Sequence, residues 1–304
     1  MSNDIVRIVE VGPRDGLQNE KTIISLEDKL KFISMLSDAG HTDIEVTSFV
    51  KPASIPQMQD ASELFPKVKE LLKNKNISLP CLVPNLQGYE KAKALGVDEI
   101  AIFVATSEAF SKKNINASID EAFERLNEFV PQALRDGKKV RGYLSTAFGC
   151  PYEGVIPLAK TIELTKRLLK LGVYEVSLGD TTGVAHPRQV KELLADLKRD
   201  VPFEKLALHF HDTRGMALTN IYVGVEAGIR TLDSSSGGIG GCPYAKGATG
   251  NVATEDVCYL LKSLGLKTSI DFNKLSEASK FILEKLGKET SSKSLKAYLN
   301  TGKI

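Results

Sequence analysis

Two of the chain's four histidines stand one residue apart in LHFHDTRG, residues 208–215, with an aspartate directly behind them. On a β-strand, side chains two apart project from the same face, so His209 and His211 would present two imidazoles to one spot. Neutral imidazole nitrogens are metal ligands. The carboxylate of Asp15 in GPRDG and the amide oxygen of Asn251 in GATGN would complete a mixed nitrogen and oxygen set. Such a set suits Mg²⁺ or Mn²⁺, with water or a substrate oxygen in the remaining positions; zinc and Fe²⁺ are also compatible with it. The competing reading is a pair of imidazoles satisfied inside a core, and the place of their strand in the fold decides between the two.

The elements that must carry these residues are legible as a rhythm. Eight apolar, β-branched runs recur: IVRIVEVG, DIEVTSF, LPCLV, EIAIFVAT, VRGYLST, YEVSLGDT, LALHFH and TLDSSS. Segments of helical periodicity separate them, as in SLEDKLKFISMLSDAG, where Leu30, Ile33 and Leu36 share a face and Gly40 terminates the run. The same ending precedes three further strands: Leu95-Gly96, Leu171-Gly172 and Ala227-Gly228. Eight strands alternating with helices over 304 residues predict an α/β fold of the (β/α)₈ TIM barrel type, residues 1–304 forming one catalytic domain. An open doubly wound sheet is the alternative. From about residue 252 to 304 the pattern is helical, an extension that would cap the barrel or pair subunits.

Chemistry on such a barrel sits where strands end at their carboxyl side. There the sequence places Arg14 and Asp15 after strand one, Glu45 and Ser48 on strand two, and Ser177 and Asp180 on strand six. His209 and His211 follow on strand seven, with Cys242 and Asn251 beyond strand eight. Buried ionisable groups are costly unless paired or bound to a metal, so their concentration at one end predicts a shared ligand. Arg14 is either an ion-pair partner of Asp15 or Glu45, or a fixed cation that stabilises an oxyanion beside the metal. The glycine-rich GGIGGCPYAKG fails the dinucleotide fingerprint, because Pro243 replaces the third glycine counted from Gly238. A loop of this kind reads instead as a lid delivering Cys242 as proton donor or base.

Composition narrows the partners. Forty basic and thirty-eight acidic residues leave a charge of +2 without a basic stripe, which argues against nucleic acid. No apolar run reaches the roughly 18 residues of a membrane span, and the N-terminal residues enter a strand pattern directly, so a cytoplasmic protein is expected. The four cysteines are widely spaced, which argues against a disulfide framework or a structural zinc site. The terminal helices must bury their apolar sides, and a homodimer is the simplest expectation.

Taken together, VEVGPRDGLQNE, IEVTSFV, GCPYEG, SLGDTTG, HFHDT and GGIGGCPYAKGATGN closely resemble the 3-hydroxy-3-methylglutaryl-CoA lyase family, from about residue 5 to residue 290. The resemblance implies a barrel enzyme that cleaves this CoA thioester to acetyl-CoA and acetoacetate with a divalent cation, Mg²⁺ or Mn²⁺. It implies metal ligation by Asp15, His209, His211 and Asn251. It also implies catalytic parts for Arg14, Glu45, Asp180, His209 and Cys242, and substrate contacts for Arg14, Ser48, Ser177 and Asn114. Thr182 departs from the aliphatic residue common at its position, and only local packing effects are expected of it. A condensing synthase of the same superfamily, joining an acyl-CoA to a 2-oxo acid, is the nearest alternative; a barrel that only binds a CoA ester is a further one. The proton acceptor stays open among Asp15, His209, Glu45 and Asp180.

Overall fold

The computed structural model of the chain describes residues 4–51, 53–241 and 250–302. All eight predicted strands are present: β1 Arg7–Glu10, β2 in two pieces at Asp43–Ile44 and Thr47–Ser48, β3 Cys81–Leu82, β4 Glu99–Ala105, β5 Lys139–Ser145, β6 Glu175–Asp180, β7 Leu206–Phe210 and β8 Thr231–Ser234. Each pairs in parallel with its sequence neighbours, and β8 pairs with β1. Closure runs through β2, whose first piece pairs with β1 and whose second pairs with β3. The sequence shows one strand at DIEVTSF; the ladder changes partner at Glu45 and Val46, whose N–H groups donate to Glu10 and Pro80. The result is the (β/α)₈ barrel rather than an open sheet.

Helices follow the strands in turn. They are α1 Leu26–Asp38, α2 Ala61–Leu71, α3 Leu86–Ala94, then α4 Glu108–Ile115, α5 Ile119–Asn127 and α6 Val130–Arg135 after β4, and α7 Leu158–Leu171, α8 Pro187–Leu197 and α9 Ala217–Ala227. Beyond β8 lie α10 Thr254–Ser263, α11 Phe272–Leu286 and α12 Lys293–Thr301. The predicted first helix begins one residue after Ser25, whose hydroxyl caps the N–H of Asp28. The four repeated glycines do close their helices in the left-handed region, with φ of 96° at Gly40, 72° at Gly96, 108° at Gly172 and 116° at Gly228. α10 packs beside α9 and α11 packs along α1, so these two complete the helical ring, while α12 lies on α10.

The two faces of the strands differ in kind. Val140, Leu144, Val176, Leu178, Leu208 and Leu232 pack outward with the helices in an apolar cluster that extends from Val6 to Leu295. The inward positions of the same strands carry Arg141, Tyr143, Glu175, Ser177, His209 and Asp233, all buried and hydrogen-bonded to one another. A barrel interior is ordinarily filled by branched apolar side chains. Here a column of paired charges takes their place and leads up to the carboxyl ends of the strands.

Candidate active site

The site is best followed from the bottom of that column. Arg7 pairs with Asp43 at 2.8 Å and with Glu175, and Arg141 pairs with Glu175 at 2.7 Å and with Asp233 at 2.7 Å. Ser177 donates to Asp233 Oδ2 at 2.7 Å, and the same oxygen lies 3.3 Å from His209 Nδ1. Burial raises the pKa of Asp233, but Arg141 and His209 outweigh it and hold the carboxyl far below its ordinary range. An ionised Asp233 calls for the proton on His209 Nδ1. The lone pair of Nε2 is then aimed at the mouth.

Above it, β1 runs into a π-helical turn, Gly12–Gly16, which carries Arg14 and Asp15. Arg14 bridges two carboxylates, Asp15 Oδ1 at 2.6 Å and Glu45 Oε2 at 2.7 Å, and the Tyr143 hydroxyl donates to Glu45 Oε2 at 3.1 Å. Its guanidinium carbon sits 5.3 Å from the centre of the Tyr143 ring. Both pairings considered for Arg14 therefore exist, and the side chain still faces the cavity. Gln18 donates to Asp15 Oδ1 at 3.0 Å and Asn251 to Oδ2 at 2.8 Å. Burial alone would raise the Asp15 pKa, yet Arg14, His209, His211 and Asn251 bring it down to about 2. Asp15 is an anion at any physiological pH. His211 is pushed down to about 4 by burial and by His209, so it is a neutral imidazole, as a ligand must be.

The fit of this group to a metal ion rests on its spacing. One oxygen of Asp15 lies 4.0 Å from the Nε2 of His209 and 4.0 Å from the Nε2 of His211. That is too far for a hydrogen bond, and it matches two ligands reaching about 2.0–2.3 Å to a common ion. Among the described residues these three form the one cluster of metal-ligating side chains, their ligand atoms all within 4.8 Å of one another. Asn251 stands beside them, held by a backbone bridge to His211 and by its side-chain N–H on Asp15 Oδ2. The candidate donors are one carboxylate, the imidazoles of His209 and His211 and an amide, a set suited to a divalent cation.

The mouth opens into a cavity of about 730 Å³ lined by Arg14, Asp15, Asn114, Tyr143, His209 and His211 on its polar side, with Val50, Ile55, Phe103 and Phe110 among its apolar walls. Among the described residues, Arg14 Nε, Glu45 Oε1 and His211 Nδ1 find no hydrogen-bond partner; Ser48 Oγ, buried on β2, finds none either, but Ser48 is not among the residues lining the cavity. Of the residues expected from the sequence, Arg14, Asp15, Asn114, His209 and His211 line the cavity, and Glu45 and Asn251 touch those that do. Ser177 lies one layer down, against Asp233. Asp180 is turned to its own loop, its two oxygens accepting from Val184 N and Ala185 N at 2.9 Å each, and burial raises its pKa to about 6. Cys242 and the lid expected around it lie outside the described residues. Tyr143, Arg141 and Asp233 were not singled out by sequence reasoning, although the two-residue spacing of Arg141 and Tyr143 and of Thr231 and Asp233 marks them as one face of their strands.

Comparison with known proteins converges on one family. A family model described as HMGL-like matches residues 5–282. The mitochondrial hydroxymethylglutaryl-CoA lyase of Homo sapiens is 51% identical over 288 residues, covering 95% of this chain and 88% of that protein. The cytoplasmic 3-hydroxy-3-methylglutaryl-CoA lyase of Rattus norvegicus is 49% identical over 290 residues, covering 95% and 84%. Among solved structures, hydroxymethylglutaryl-CoA lyase from Pseudomonas aeruginosa superposes with a TM-score of 0.94 at 46% identity, covering 98% of both chains. An HMG-CoA lyase from A. baumannii, in complex with coenzyme A and 3-methylmalate, gives 0.93 at 36% identity over 100% of this chain and 98% of that one. The chain belongs to the HMGL-like family.

Proposed function

We propose that the chain is a hydroxymethylglutaryl-CoA lyase, cleaving 3-hydroxy-3-methylglutaryl-CoA to acetyl-CoA and acetoacetate with a divalent cation, Mg²⁺ or Mn²⁺, held by Asp15, His209, His211 and Asn251. The observation that carries this reading is the meeting, at one mouth, of the Asp15, His209 and His211 ligand cluster with a fixed Arg14 and a cavity of about 730 Å³.

Breaking the carbon–carbon bond requires loss of a proton from a tertiary alcohol and stabilisation of an enolate next to a thioester. The cation would supply Lewis acidity to the substrate's hydroxyl oxygen and fix its position. Arg14, held in place by Asp15, Glu45 and the Tyr143 ring, stabilises the enolate oxygen with a charge that needs no reorganisation. Asp233 keeps His209 in the tautomer that offers Nε2. The acceptor of the hydroxyl proton is drawn from Asp15, Glu45 and His209, since the oxygens of Asp180 are taken by Val184 N and Ala185 N of its own loop, and Cys242 returns a proton to the enolate. A cytoplasmic location and a dimeric assembly belong to the same proposal.

The test is product analysis of protein stripped with EDTA and then supplied with Mg²⁺ or Mn²⁺. Acetoacetate and acetyl-CoA in equal amounts, appearing only with metal, are expected. Release of free CoA from acetyl-CoA and a 2-oxo acid would make the chain a synthase instead, and tight thioester binding without products would leave it a binding barrel.

A further inference from the structure

Outside the barrel, behind the ligand cluster, lies a buried carboxylate that the chemistry above does not use. Glu10 ends β1, is fully buried, and faces the helices. Its Oε1 accepts Gly12 N at 2.8 Å and Ser236 N at 2.9 Å; its Oε2 accepts Ser236 Oγ at 2.7 Å and Thr254 Oγ1 at 2.8 Å. These four donors belong to three pieces of chain: the turn that carries Arg14 and Asp15, the turn after β8, and the first residue of α10, three positions beyond Asn251.

The three pieces are built to lie close. A side chain at Gly12 would put its Cβ 2.5 Å from Glu10 Oε1, and one at Gly16 would put it 2.8 Å from both Ile239 Cγ1 and Ser235 Oγ. Ser235 N in turn donates to Val252 O at 3.0 Å and Thr254 N to Ser235 O at 3.1 Å, so the segment bearing Asn251 is laced to the same turn. The direct contact of Asp15 with Asn251, 2.8 Å, spans the gap that Glu10 bridges from behind.

We propose that Glu10 is a positioning residue that sets the separation of the ligands Asp15 and Asn251 by tying their two backbone segments to one carboxylate. This rests on the reading of those residues as metal ligands. Glutamine at position 10 keeps the shape of the side chain but replaces one acceptor oxygen by an NH₂ donor, so the ties from the Ser236 and Thr254 hydroxyls survive only if both hydroxyls turn round to accept.

The experiment measures Mn²⁺ binding to the full-length protein by electron paramagnetic resonance, well below the thermal midpoint, for wild type, Glu10→Gln and Thr254→Val, with steady-state kinetics alongside. Expected is a loss of Mn²⁺ affinity of about tenfold or more in Glu10→Gln, the size usual for residues that orient ligands. Turnover should fall with little change in KM. Thr254→Val, which removes one donor, should show a smaller loss, and adding it to Glu10→Gln should change Mn²⁺ affinity less than it does in wild type. If Glu10→Gln does not fold, Thr254→Val alone decides. Mn²⁺ affinity within twofold of wild type in every folded variant would overturn the proposal. Mn²⁺ binding that survives Asp15→Asn in the otherwise wild-type chain would instead overturn the reading of the ligand cluster itself.

Discussion

The two ends of the barrel interior hold the same kinds of residue and treat them differently. At the lower end Arg7, Asp43, Arg141, Glu175 and Asp233 are joined by ion pairs, and none of them leaves a buried polar atom without a partner. At the upper rim Arg14, Glu45, Ser48 and His211 each retain a buried atom with none among the described residues. Both ends bury charge, and burying charge is costly in either place. The closed set at the bottom gives the barrel a fixed interior. The set at the top keeps hydrogen-bonding capacity that its described neighbours do not use.

Substitutions at the two ends should therefore fail in different ways. The largest effect is expected at the closed end. Arg141→Met strands Asp233 without its guanidinium partner and leaves Glu175 with Arg7 alone, and should destabilise the fold by about 3–5 kcal/mol, measured by urea unfolding. At the open end, Arg14→Met should lower turnover by about a hundredfold to a thousandfold with a much smaller change in KM, the signature of an interaction made in the transition state. Intact turnover in that variant would remove Arg14 from the chemistry. Asp233→Asn sits where the two ends meet. It should weaken Mn²⁺ binding by about 10- to 100-fold by calorimetry, because His209 loses the acceptor that fixes its tautomer.

The smallest effect is a pH slope from a carboxyl outside both sets. Glu255, on α10, accepts Gly237 N, and burial, reinforced by nearby Glu10, raises its pKa from 4.5 to about 8. Between those values the folded chain keeps a proton that the unfolded chain has released. Its contribution is thus fully present below pH 4.5 and is lost as pH rises to about 8. Thermal midpoints at pH 5 and pH 8 should fall further apart in wild type than in Glu255→Gln.

The open end was largely legible in the sequence, and the closed end was not. His209, His211, Arg14 and Asp15 are visible because they stand where apolar strand patterns stop, and barrel geometry gives such positions meaning. Arg141, Glu175 and Asp233 stand inside strands, and their worth depends on register: Arg141 lies opposite Glu175 and His209 opposite Asp233. Strand spacing shows which residues share a face and leaves open which residue of the next strand they meet. Glu10 escaped notice for a related reason, since its four donors come from residues 12, 236 and 254. Asp180 shows the converse, a polar residue at a strand end whose oxygens are held by its own loop.

The most direct test of the account is an anomalous-difference map from crystals soaked in Mn²⁺. A single strong peak among the Asp15 carboxylate, the two imidazole Nε2 atoms and the Asn251 amide is predicted. No peak there, in protein that still releases acetoacetate, would contradict it.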